Sequence, residues 1–118
     1  MKAIELKEDG SGGIIEFESS NEIFDYFGGI FDIVHCKENL EHPFVMLVDD
    51  CGYDKGLPAN YRGSYFYGSG AHGHLILGPV LIMKEVPDPE EGDYTLAGLS
   101  DIEIEKLSFE NELFMEIS

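Results

Sequence analysis

The chain has 118 residues, and 24 acidic residues against 7 basic ones give it a formal net charge of -17 at pH 7. Its length fits one domain spanning residues 1–118, and a hydrophobic content of 43% excludes a disordered chain. The charge excludes nucleic acid and anionic membrane as direct partners and favours a basic protein surface, although acidity can also be an incidental aid to solubility.

The hydrophobic pattern predicts a sheet. Short runs rich in branched or aromatic residues, or runs that alternate with polar residues, are typical of strands. A glycine-rich segment at 8–13 joins the first two runs as a hairpin turn. The predicted strands are residues 3–6, 14–18, 30–34, 44–48 and 75–83, the last interrupted by a Gly-Pro pair at 78–79.

Two capping boxes predict two helices. Ser19 with Glu22 opens a short amphipathic helix that Gly28 ends, and Ser100 with Glu103 opens the second. Strands that follow one another through turns, with helices at separate places, predict an α+β fold. We therefore expect a mostly antiparallel sheet of about five strands with two helices packed on it.

Two segments look like partner-binding loops. Residues 61–74 combine tyrosines with four glycines, which is typical of a mobile loop, and residues 86–93 form a rigid acidic loop. Tyrosine and arginine are favoured interface anchors, with plain packing of the tyrosines on a sheet as the alternative, and carboxylates suit a basic partner. The predicted partner contacts are Tyr61, Arg62, Tyr65, Tyr67, Asp88, Glu90, Glu91, Asp93, Glu103 and Glu105.

Zinc is the cofactor that the sequence suggests. Cys36, Cys51, His72 and His74 make a complete tetrahedral ligand set, provided that a turn brings the two cysteines together. The spacing matches no standard zinc finger, and the alternative is two buried thiols with solvent-facing histidines. Two cysteines are too few for a disulfide scaffold.

Catalysis is disfavoured by the sequence. A nucleophile pair of Cys51 with His72 or His74 is conceivable, but no activating motif surrounds the cysteine. Asp49 and Asp50 are adjacent, so on a strand they point to opposite faces and cannot share one site. We expect no enzymatic activity and keep a Cys/His enzyme as an alternative.

Five segments follow one another along the chain: GGIFDIV at 28–34, MLVDD at 46–50, KGLPAN at 55–60, GPVLI at 78–82 and LSDI at 99–102. Together they resemble a family of small uncharacterised phage and plasmid proteins. That family has no established activity, so the resemblance implies an origin on a mobile element. The 61–74 segment and the acidic C-terminal end depart from its pattern.

Mobile elements carry small acidic proteins that disable host defences. Some occupy the nucleic-acid groove of a restriction enzyme or of a CRISPR nuclease such as Cas9, which holds its heteroduplex in a positive channel. We expect such an inhibitor, anti-CRISPR ahead of anti-restriction, that binds a host nuclease or another basic protein. The alternative is a zinc-stabilised accessory module with incidental acidity.

The predicted location is the cytoplasm of the bacterial host. No apolar run approaches the roughly 20 residues of a membrane-spanning helix. The start of the chain turns acidic at once, which is unlike a signal peptide.

Overall fold

The computed structural model describes residues 1–36, 40–68 and 75–110, with the backbone alone for 109 and 110. The strands are β1 (Lys2–Leu6), β2 (Gly12–Glu16), β3 (Phe31–Val34), β4 (Phe44–Asp49), β5 (Val80–Asp88) and β6 (Asp93–Ala97). The helices are α1 (Ser20–Phe27), α2 (Tyr61–Tyr67) and α3 (Asp101–Glu110). None of these helices has the length and apolar character that crossing a membrane requires.

All strand pairs of the sheet are antiparallel. Five strands follow the order β2-β1-β5-β4-β3, and β6 joins as a sixth by pairing with β5. The first part of β5, residues 80–82, pairs with β1, whereas residues 84–88 pair with β6. The predicted α+β fold with a mostly antiparallel sheet is confirmed, although the described residues form three helices where two were predicted.

Helices cover both faces of the sheet. Ile23 and Phe27 of α1 pack on one face, and Phe66 of α2 packs on the other together with Ile104 and Leu107 of α3. Burying each such side chain stabilises the fold by about 1.5–3 kcal/mol. Neighbouring residues of β5 alternate between the two cores: Val80 and Ile82 on the α2–α3 side, and Leu81 and Met83 on the α1 side.

Helix α2 corrects the prediction of a loop over 61–74. Asn60 caps the helix, because its side-chain oxygen accepts a hydrogen bond from Gly63 N at 2.9 Å. Gly68 ends the helix in the left-handed conformation at φ 79°. In the sequence, Gly63 is typical of a loop. In the structure, a Cβ at this position would lie only 3.1 Å from Val80 Cγ1. The glycine therefore allows α2 to pack closely against β5. Residues 69–74 lie outside the described residues.

The two capping boxes differ in the structure. Ser100 and Glu103 exchange both predicted bonds, from Ser100 N to Glu103 Oε1 at 2.9 Å and from Glu103 N to Ser100 Oγ at 3.2 Å. At α1 the hydroxyl of Ser19 makes no capping bond. The carboxylate of Glu22 reaches one residue further back and accepts from Glu18 N at 2.9 Å, so this predicted box is wrong in its bonding.

Candidate functional site

The segment 86–93, predicted as an acidic loop, is largely a β-hairpin. Strand β5 continues to Asp88, and β6 returns from Asp93, so only four residues connect the two strands. Strand β4 pairs with β5 no further than Lys84. Beyond Glu85, whose amide bonds Pro43 O, the ladder of β5 within the described residues is with β6 alone. The acidic residues therefore lie at the end of a two-stranded ribbon.

Asp88 fixes the hairpin turn. Its Oδ1 accepts hydrogen bonds from Glu90 N at 3.0 Å and Glu91 N at 3.3 Å, and its carbonyl accepts from Gly92 N at 2.9 Å. Gly92 has φ +70°, where a side chain would be strained. Asp88 thus contributes charge and also holds the turn in one conformation.

Three carboxylates at the tip face solvent. Glu90, Glu91 and Asp93 are all exposed. The nearest lysine along the chain, Lys84, donates instead to Glu103 Oε1 at 2.8 Å, on the helix α3. The tip therefore keeps its negative charge, and its rigid turn sets where that charge is presented.

Glu103, predicted to contact a partner, is occupied within the fold. Burial alone would raise its pKa, but hydrogen bonds from Lys84 and from Ser100 hold the pKa below its ordinary value. Glu105 on the same helix is exposed and available. Glu103 therefore fastens α3 to the sheet, and only Glu105 of the pair has a free carboxylate surface.

Three further lysines lie near carboxylates in the body of the protein. Lys2 pairs with Asp101 at 2.8 Å and so links β1 to α3, and Lys55 pairs with Asp49 at the same distance. Lys7 lies 4.0 Å from Glu5. These pairs involve carboxylates of the sheet and of α3, and within the described part of the chain no lysine pairs with Glu90, Glu91 or Asp93.

The predicted aromatic contacts lie on α2, away from the hairpin in the chain. Tyr61 and Tyr65 are 72% and 60% exposed, while Arg62 and Tyr67 are half-buried. Sequence reasoning missed Tyr94, which is 51% exposed on the hairpin and packs edge-on against the ring of His42. Its signal was the alternation of residues 93–97, which reads as a strand and places an aromatic beside the acidic turn.

The two cysteines are not brought together, so the expectation that a turn would place them side by side is wrong. Cys36 follows the end of β3 and Cys51 follows the end of β4, and these strands are antiparallel. The thiols therefore lie at opposite ends of a paired segment that is roughly 10 Å long, whereas two thiolates on one zinc each lie about 2.3 Å from it. His72 and His74 lie outside the described residues, so zinc stays a prediction.

Neither cysteine has an environment that would activate it among the described residues. Cys36 is 4% exposed in the core, and burial raises the pKa of its thiol to about 11. Cys51 is half-buried in the turn after β4, where its amide donates to Asp49 Oδ1. Within the described ranges, no group of three or more His, Cys, Asp or Glu side chains is arranged to hold a metal ion.

Comparison with protein-family models, with curated proteins and with solved structures finds no match to this chain. The resemblance to small phage and plasmid proteins therefore stays a prediction, and the functional interpretation depends on the geometry alone.

Proposed function

We propose that this chain is a non-enzymatic inhibitor encoded by a mobile element. It acts in the bacterial cytoplasm, where it inserts the β5–β6 hairpin into the basic nucleic-acid groove of a host defence nuclease. A CRISPR nuclease such as Cas9 is the preferred target, and a restriction enzyme is the next. The supporting observation is the hydrogen-bonded turn that presents Glu90, Glu91 and Asp93 to solvent, with no lysine of the described residues paired to them.

The dimensions of the hairpin fit this role. Its two strands lie about 4.8 Å apart, so the ribbon is narrower than the duplex that such a groove admits. Glu90, Glu91 and Asp93 place three exposed carboxylates within four residues of the turn and the start of β6. The hairpin thus offers a basic groove a narrow element with negative charge concentrated at its end.

The wider surface supports association more than it supports specificity. A chain with a net charge of -17 is attracted to any basic groove over long range, and this raises the association rate. A fixed turn loses little conformational freedom on binding, so its contacts contribute more fully to affinity. Specific inhibition is therefore assigned to the hairpin, and the remaining charge assists the encounter.

The test compares charge reversal at the tip with the same reversal elsewhere. The tip variant carries Glu90→Lys, Glu91→Lys and Asp93→Lys. The control carries Glu16→Lys, Glu18→Lys and Asp25→Lys, three exposed positions on β2, on the segment that joins β2 to α1, and on α1. Both variants change the net charge equally. Glu103 is left unchanged because it caps α3 and pairs with Lys84.

The assay is cleavage of a matching DNA duplex by Cas9 with its guide RNA at about 50 and 200 mM salt. We expect the parent protein to inhibit, less so at high salt, and the tip variant to lose at least about tenfold in potency, the equivalent of one broken charge contact of about 1.4 kcal/mol. The control should lose far less. Equal potency of the tip variant and the parent would reject the hairpin as the inhibitory element.

Absence of inhibition by the parent protein would reject Cas9 as the target. The same three proteins are then assayed on a restriction endonuclease with its cognate duplex. Failure there too would reject the proposed function as a whole.

A further inference from the structure

We propose that a cavity beside β3, β4 and α2 binds the guanidinium group of an arginine side chain from the protein partner. This inference deepens the proposed function, since the partner that it needs is a basic protein. The cavity has a volume of about 280 Å³, which is just below the roughly 300–1,000 Å³ of small-molecule pockets. A single side chain is therefore the occupant that its size suits.

Two carboxylates approach the cavity from neighbouring strands. Asp32 pairs with Val48 across the β3–β4 ladder, and Asp50 lies two residues beyond Val48. Asp50 N donates to Ile30 O at 3.2 Å, so the ladder continues to that point. Asp32 and Asp50 are thus diagonal neighbours on one face, where Cα atoms are about 7–8 Å apart. A flat, forked cation between them can reach both carboxylates.

The carboxylates keep their charge for a ligand. Asp49, which also borders the cavity, is neutralised by Lys55 at 2.8 Å and its side chain is only 4% exposed. Asp32 and Asp50 are both exposed. Asp32 uses one oxygen, Oδ1, to accept from Ile33 N at 3.1 Å. None of the described residues that line the cavity is basic, so the charges of these residues favour a cation.

The remaining walls suit the rest of an arginine. Val34, Val48 and Ile76 give an apolar floor on which the methylene stem can lie. Tyr53, which is 87% exposed, stands at the rim, and Tyr67 closes the side formed by α2. Guanidinium groups stack on tyrosine rings and bind carboxylates in a bidentate manner, which an ammonium group cannot do. Arginine is therefore favoured over lysine.

The probe for this site is acetyl-arginine methylamide, titrated into the isotope-labelled full chain while backbone amide resonances are recorded. We expect saturable shifts at residues around the cavity, with a dissociation constant on the order of 1 mM for a ligand of this size. The lysine analogue should bind several-fold more weakly. The citrulline analogue, which is neutral and nearly the same shape, should not bind.

The variant Asp32→Asn with Asp50→Asn keeps the oxygen that Ile33 N requires and removes both charges. Its affinity for the arginine probe should fall at least about tenfold. The control Glu16→Gln with Asp25→Asn removes the same charge from β2 and α1 and should bind the probe as the parent does. The amide spectra also report whether each variant is folded.

Four outcomes would overturn the inference: no saturable shift, shifts that do not map to the cavity, equal binding by the parent and the Asp32/Asp50 variant, or equal binding of the citrulline analogue. The titration contains no nuclease, so its result is independent of the cleavage assay. If the probe binds the cavity but the protein does not inhibit a nuclease, the arginine site stands and the hairpin proposal is rejected. If the protein inhibits a nuclease but the probe does not bind, the hairpin proposal stands and the arginine site is rejected.

Discussion

Asn60 is the polar side chain on which the described fold depends most. It is fully buried, and its Oδ1 accepts from Gly63 N at 2.9 Å to cap α2. Its Nδ2 donates to Leu6 O in β1 and to Gly78 O in the turn before β5, both at 2.9 Å. One amide therefore connects a helix, a strand and a turn.

Replacing Asn60 by Ala removes all three bonds without leaving a substitute. Loss of a helix cap costs about 1 kcal/mol. The two buried carbonyls each lose a hydrogen bond of about 1–1.5 kcal/mol, and no water replaces it if the site stays closed. The sum predicts a fall of about 3–4 kcal/mol in the free energy of unfolding, against a total of roughly 6–18 kcal/mol for a chain of this size.

The assay is urea unfolding followed by circular dichroism at 25 °C, with Ser100→Ala as the control. Ser100 caps α3 through the same kind of bond, but it is exposed and its hydroxyl makes one capping contact. We expect the control to lose about 1 kcal/mol. A loss at Asn60→Ala no larger than that of the control would refute the threefold role of the amide.

Two further predictions concern pH. Glu103→Gln should destabilise the protein by about 0.5–1 kcal/mol at pH 7. The folded pKa of Glu103 lies below its unfolded value, so this contribution is present above the unfolded pKa and is lost as pH falls through the folded one. In urea titrations the free energies of unfolding of variant and parent should therefore converge as the pH falls below the folded pKa. Tyr26 is half-buried and donates to Glu5 Oε2 at 2.7 Å, and burial, followed by that bond, raises its pKa. The contribution of Tyr26 to the free energy of unfolding is therefore present below the unfolded pKa of about 10 and is lost as pH rises above it. In Tyr26→Phe, the free energy of unfolding should fall less steeply at alkaline pH than in the parent. An equally steep fall in both proteins would contradict this reasoning.

Strands β1 to β4 were predictable because their signals are local, whereas β6 and the continuation of β5 to Asp88 were missed, and residues 75–79, predicted as strand, precede β5. Runs such as residues 44–48 are apolar throughout, and burial on both faces of a sheet covered by helices requires such a run. The second capping box was also predictable, since Ser100 and Glu103 meet through backbone geometry alone. At α1 the same pattern failed because Glu22 had a second amide, Glu18 N, within reach.

Helix α2 was missed because its glycine serves a tertiary contact. Within the sequence, Gly63 lowers helix propensity, and only the approach of Val80 explains why it is needed. The two end signals, Asn60 and Gly68, were present and lie eight residues apart. Weighing caps ahead of interior glycines would have identified the helix.

The pairing of carboxylates was missed for a related reason. In the sequence, Asp49 and Asp50 are conspicuous because they are adjacent. In the structure, Asp49 forms an ion pair with Lys55, and Asp50 lies beside the cavity together with Asp32. Asp32 and Asp50 are eighteen positions apart, and only the register of β3 on β4 makes them neighbours. Chemistry that depends on register is invisible to any reading of local patterns.

The placement of the lysines, more than the number of acids, decides whether the charge of this chain is a tool. Had the lysines been spread over the surface, each would have screened the nearest carboxylates and left a weak, even field. Instead Lys2 and Lys84 are both committed to carboxylates of α3. The helix is thereby fastened to the sheet, and none of the lysines that the structure describes pairs with the hairpin tip, whose turn is held by hydrogen bonds to Asp88. Adding a lysine to the turn, as in Gly92→Lys, would change the charge and also strain the backbone, because Gly92 has a positive φ. Charge reversal at Glu90, Glu91 and Asp93 changes the charge of the tip without that backbone strain.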